Sequence, residues 1–306
     1  MPMDKIVTVL SMVQLDCIQE VQVSCTWSLS TLATLAPFLG EMSNLQRLHL
    51  SHVHVSAFKK QEHDHVVQIT SQFRRLGHLR DLHLESPSFL EGCLDQMLRC
   101  LRSPLDSLSL TKCRLTESDL THVSQSPDIS QLKSLDLSGV PMTDFRPELL
   151  QVLLEKVAAT LQEVDLDACG ITDSQLEAFL PALSRCSQLR AVSLCGNLLS
   201  TAVMEKLLRH TAVLPCLRQG VIRPSGDLQT SGCSPGSETC PASGSAVGDS
   251  QRLGTSQDHL DKPQPLSSLW GGCMPSHGAH CIQLSCPCLG GGLYQKLSSV
   301  HLATEI

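Results

Sequence analysis

The sequence predicts an α/β fold, a leucine-rich-repeat solenoid of the ribonuclease-inhibitor-like βα horseshoe kind with about seven repeats, and three observations predict it. The pattern Leu-x-x-Leu-x-Leu starts at Leu45, Leu79, Leu105, Leu132, Leu161 and Leu189, with Val as the second apolar residue in the last two copies. A degenerate copy, IQEVQVSC, starts at Ile18, and the successive intervals are 27, 34, 26, 27, 29 and 28 residues. Units of about 28 residues leave room for an α-helical return behind each strand, whereas 20 to about 24 residues allow only an extended or short helical one.

Each unit then reads strand, loop, helix. The clearest are LDSLSLTKCRLT from Leu105, LKSLDLSGVPMT from Leu132, LQEVDLDACGIT from Leu161 and LRAVSLCGNLLS from Leu189. Three residues after the last motif leucine stand Cys113, Cys169 and Asn197, in the slot whose side chain bonds backbone as the chain leaves the strand; Val53 and Val140 fill it elsewhere. Thr116, Thr172 and Ser200 follow where helix N-caps belong, and Thr172 with Gln175 forms a capping box. Leu176, Phe179, Leu180 and Leu183 recur at helical spacing, as do Leu149, Leu150, Leu153, Leu154 and Val157 one repeat earlier. Such a stripe faces the sheet, and stacked neighbours bury it in one core. The 34-residue interval carries KKQEHDH at Lys59 to His65, which reads as a polar surface excursion.

Strand residues alternate between core and the opposite face, so the x positions of successive motifs form an exposed concave strip. It contains Arg47 and His49, then Asp81, His83 and Glu85, then Asp136, then Glu163, Asp165 and Asp167. Ser, Gln and Thr fill most of the remaining positions. A polar, partly acidic concavity is the usual binding surface of a solenoid, and the acidic group Glu163, Asp165 and Asp167 is the expected contact patch for a protein partner.

Other motifs carry less. Leu150 to Leu154 reads LQVLL, the Leu-x-x-Leu-Leu pattern with which an exposed helix docks into a nuclear-receptor groove, but Leu150, Leu153 and Leu154 also lie on the core stripe, where burial is the expectation. His63, Asp64 and His65 read as a solvated loop rather than a metal site, because no Cys or carboxylate stands at ligand spacing. No nucleophile elbow, phosphate-binding glycine loop or His-Glu-x-x-His occurs, so neither enzyme activity nor a cofactor is expected. A net charge of −7 without long runs of one sign argues against nucleic acid and against a polybasic membrane patch. No segment reaches the roughly 18 apolar residues of a membrane span, and the start lacks a signal-peptide pattern; a cytoplasmic or nuclear location is expected, with the nine repeat-region cysteines reduced.

The chain divides into a leucine-rich-repeat domain, 1–218, and a Gly/Ser/Pro/Cys-rich tail, 219–306, which holds 13 of the 19 glycines and 14 serines. Such a composition does not offset its ordering entropy by burial, so the tail is expected to be largely disordered. Its six cysteines include Cys273, Cys281, Cys286 and Cys288, whose spacing fits no regular zinc knuckle.

The repeats resemble the PRAME family, the preferentially expressed antigen of melanoma and its paralogues. The matching text is MVQLDCIQEVQVSCTW from Met12, LAPFLGEMSNLQRLHLSH from Leu35, LTESDLTHVSQSPDISQLKSLDLSGV from Leu115 and LQEVDLDACGITDSQLEAFLPALSRCSQL from Leu161. The resemblance implies a substrate-recognition subunit of a cullin-2 RING ubiquitin ligase, with elongin and cullin-2 components as partners and links to proliferation and to restrained apoptosis and differentiation. It also implies corepression through the retinoic acid receptor. Relative to the family, the chain is expected to lack the N-terminal elongin-binding region and the closing repeats, which would leave the apolar edge behind Leu194 and Leu207 uncapped and leave open a truncated product without activity.

Overall fold

The computed structural model describes residues 3–54, 59–217, 222–223 and 281–285. Seven strands follow the motifs: β1 Glu20–Ser28, β2 Arg47–His54, β3 Asp81–Glu85, β4 Ser107–Thr111, β5 Ser134–Asp136, β6 Glu163–Asp165 and β7 Ala191–Ser193. They lie side by side and parallel in chain order, as consecutive units of a solenoid must. Two further strands close the row, β8 Ile222–Arg223 parallel to β7 and β9 Cys281–Ser285 antiparallel to β1.

Stacking is in register because each repeat repeats the same backbone bonds. The carbonyl of Gln19 accepts from the N–H groups of both Gln46 and Arg47; Gln46 then serves Arg80 and Asp81, Arg80 serves Asp106 and Ser107, and the series continues to Gln162, which serves Arg190 and Ala191. Satisfying two donors at every strand entry fixes one repeat against the next without any side chain.

The chain leaves the strands through an equally regular turn. Two residues beyond the last motif leucine the backbone is left-handed in all six copies: His52, Ser86, Lys112, Gly139, Ala168 and Gly196 have φ between 50° and 72°. Only two of the six are glycine, so the turn is imposed by stacking rather than by local preference. The slot that follows is bonded as its residue types suggest. The buried Asn197 accepts from the N–H groups of Cys169 (3.1 Å) and Ile171 (3.0 Å) and donates to the carbonyls of Leu166 (2.7 Å) and Leu194 (3.0 Å), while the Cys169 thiol donates to Leu137 O at 3.1 Å.

The returns are helical: α1 Met3–Met12, α2 Leu29–Glu41, α3 Lys59–Gln72, α4 Leu94–Leu98, α5 Glu117–Gln125, α6 Pro147–Val157, α7 Asp173–Leu183 and α8 Thr201–Thr211. Thr116, Thr172 and Ser200 are the N-caps of α5, α7 and α8. Both N3 side chains reach back a repeat. Gln175 accepts from Thr172 N–H at 3.0 Å and donates to Met142 O at 2.8 Å and Phe145 O at 2.9 Å. The buried Asp119 accepts from Thr116 N–H and Gly92 N–H, both at 2.9 Å, and from Leu94 N–H at 3.3 Å. Pro37 stands inside α2, where it removes the donor for Ala33 O; Gln68 of α3 supplies one from its side chain at 3.0 Å.

One core of leucines, with Phe73, Phe89 and Phe179, runs the length of the sheet between strands and helices. Two expectations are corrected. Lys59 to His65 is not a loop excursion: it forms the first turns of the 14-residue helix α3. Nor are Leu194 and Leu207 left bare at the far edge: both are fully buried, the chain continues through the buried Leu214 and Leu217, and β8 pairs with β7, while Leu198, Leu208 and Val213 of the last repeat stay exposed. Apart from 222–223 and 281–285, the tail lies outside the described residues.

Candidate functional site

The sheet has one face on the core and the other open, and register places the predicted strip in straight rows. The first row is Glu20, Arg47, Asp81, Ser107, Ser134, Glu163 and Ala191; the second is Gln22, His49, His83, Ser109, Asp136, Asp165 and Ser193. Ser24, Ser51, Glu85 and Thr111 begin a third. Eight of the nine face residues singled out in the sequence therefore share one side, although they come from four repeats; Asp167 lies just beyond the end of β6.

Accessibility along the rows is uneven. Arg47 is exposed, while Ser51, Ser109, Thr111 and Ser193 are buried beneath longer neighbours. Much of the polarity is also used within the face. Arg47 bridges Glu20 at 2.8 Å, and Lys112 bridges Glu85 at 2.8 Å. Asp136 accepts from Ser109 Oγ and from Ser138 N–H, both at 2.9 Å. Asp165 accepts from Asp167 N–H at 2.9 Å, and Asp167 accepts from Ser193 Oγ and Cys195 N–H, both at 2.6 Å. The expected acidic patch is thus partly a brace for the strand exits of two repeats. Partial burial raises the carboxyls of Glu163, against the pull of Arg190, and of Asp81, against that of Arg47.

Toward the β1 end of the second row, His49 and His83 stand on adjacent strands with ring centroids 3.9 Å apart and planes tilted by 46°. His49 Nε2 lies 2.9 Å from Ser51 Oγ. Burial, aided by the neighbouring His83, lowers the His49 imidazole to about 3, and burial also lowers His83 against the opposing charges of Asp136 and Glu85. Both rings are therefore neutral near pH 7. Burial works against the charge of Glu85, but the Lys112 hydrogen bond and ammonium, with His52 and His83, outweigh it and hold the carboxyl low. In the sequence these three residues stand only as separate members of a strip. Their convergence was foreshadowed only by the recurrence of Leu-His-Leu at 48–50 and 82–84, which puts His at one motif position twice running.

The remaining motifs fall elsewhere. On α6, Leu150, Leu153 and Leu154 are 5%, 0% and 1% exposed, so LQVLL faces the core and could be presented only if α6 left the sheet. His63, Asp64 and His65 are consecutive on a helix, where side chains two apart point to different sides, and they do not converge on one point. Burial raises the thiols of Cys113 and Cys169 to about 12 and that of Cys186 to about 11, as for inert core cysteines. No helix among the described residues is long and apolar enough to cross a membrane.

The family described as the PRAME C-terminal domain matches residues 1–225. This chain belongs to the PRAME family. Human PRAME family member 12 is 56% identical over 212 residues, covering 69% of this chain and 44% of that protein. Human PRAME family member 8 is 54% identical over 216 residues, 70% of this chain and 46% of that protein. The mouse preferentially expressed antigen in melanoma-like protein 1 is 42% identical over 202 residues, 65% and 44% of the two chains. The chain thus spans less than half the length of these PRAME relatives. Among solved structures, an internalin from Listeria monocytogenes aligns with a TM-score of 0.33 and 15% identity over 62% of this chain and 70% of that one, too loosely to bear on fold or function.

Proposed function

We propose that the open sheet face of this PRAME-family chain selects a protein partner, and that the family role it serves is substrate recognition for a cullin-2 RING ubiquitin ligase in the cytoplasm or nucleus. The observation that carries the reading is the pair of seven-residue rows, polar except at Ala191, in unbroken register on the side of the sheet away from the core. A rigid parallel sheet presents such rows with little ordering cost on binding, which favours specific recognition. Arg47 at one end and Glu163 toward the other give the face charges of both signs, and such charges set partner choice and encounter rate more than raw affinity.

The test is affinity purification with mass spectrometry of the full chain beside Arg47→Glu plus Glu163→Lys, and beside a helix-side control, Val152→Lys. Partners lost in the face variant and kept in the control support recognition by the sheet. Identical partner sets in all three would remove it. Failure to recover elongin or cullin-2 while a face-dependent partner persists would remove the ligase assignment alone.

A further inference from the structure

We propose that His49, His83 and Glu85 form a binding site for a borderline divalent cation of the zinc class on the open face of the sheet. One potential ligand atom from each residue lies within 4.8 Å of the other two, and no other such trio occurs among the described residues. The placement is built by the fold. Parallel register sets His49 directly beside His83, and Glu85 follows two residues later on the same face of β3. Two imidazoles and one carboxylate suit a zinc-class ion, and three protein ligands leave a fourth position for water or for a side chain of a bound partner. Ser51 Oγ, 2.9 Å from His49 Nε2, orients that ring.

Ligands on one tetrahedral zinc stand about 3.3 Å apart, given bond lengths of about 2.0–2.1 Å. Occupation therefore draws the three side chains together and turns Glu85 away from Lys112. Lys112 is the site's built-in competitor, as the cation that occupies the carboxylate in the metal's absence. The inference is independent of which protein the face selects, since it concerns the ion alone.

The experiment titrates the full reduced chain with Zn²⁺ against a chromogenic chelator and with Co²⁺ by visible absorption. His49→Gln, His83→Gln and Lys112→Ala are measured beside it, each checked by circular dichroism and urea unfolding without metal. One equivalent of Zn²⁺ is expected to bind at least tenfold more weakly in either histidine variant and several-fold more tightly in Lys112→Ala. Its Co²⁺ spectrum should lack the strong near-ultraviolet thiolate band that the chain's cysteines would produce. Uptake unchanged by all three substitutions, or carried entirely by a thiolate-type spectrum, overturns the site. If the histidine variants do not fold, Lys112→Ala decides: this exposed side chain can be removed without opening the core, and an unaltered Zn²⁺ affinity there also overturns it.

Discussion

Two positions show how single residues answer to the stack. A Cβ at Gly139 would lie 3.1 Å from Lys112 Cγ and 3.3 Å from Lys112 Cα, on a backbone with φ of +72°. Gly139→Ala should therefore lower stability by about 1–2 kcal/mol. Ala168 occupies the same left-handed position one repeat on, with φ of 52°, and Ala168→Gly should leave stability unchanged or raise it. Urea midpoints moving the same way in both variants would contradict this account of the turn. His49 gives a pH signature. Its imidazole is lowered in the fold to about 3 by burial and by His83, so the unfolded chain takes up the proton first. Stability is complete above pH about 6.5 and is lost as pH falls toward the folded value, by at most about 1.4 kcal/mol per pH unit from this group. His49→Gln should flatten that decline, with His83 contributing what remains; equal slopes in wild type and variant would refute the assignment.

Helix α6 shows why a linear motif has to be read on its element. Its leucines are the repeat's own contribution to the core, and Val152, 51% exposed, is the apolar residue on its outer side. Leu153→Ala should cost about 3 kcal/mol by the cavity it opens, whereas Val152→Ala should change stability by less than about 0.5 kcal/mol. Thermal or urea unfolding separates the two outcomes. Helix α3 carries a second lesson. KKQEHDH lacks an apolar stripe and looks like a loop, yet the next turns carry the buried Val66, Ile69 and Phe73, and packing of those turns extends the helix back through the polar segment. The N3 residues Asp119 and Gln175 do more than cap their own helices, since each also bonds backbone of the preceding repeat.

For the molecule as a whole, the vulnerable places in a parallel stack are its two ends. One is met by β8 and the buried Leu214 and Leu217, the other by β9, which pairs through Cys281–Ser285 along Glu20–Ser24 of β1. Removing residues 279–306 should expose the β1 edge and promote association that grows with protein concentration. Sedimentation velocity would show it, and a shortened chain as monomeric as the full one would count against β9 as a closing strand.

By itself the sequence determined the repeat, its strands, the caps at Thr116, Thr172 and Ser200, and the membership of the open face. Those follow from periods of 2, 3.6 and about 28 residues, which local sterics and burial impose wherever they recur. Tertiary structure decided the rest: the left-handed turn at Ala168 and Lys112, the helical state of Lys59 to His65, the closure of both sheet ends, and the meeting of His49, His83 and Glu85. These depend on which backbone lies alongside which. That is set by stacking register between residues some 34 positions apart, as at His49 and His83, and a local pattern does not contain it.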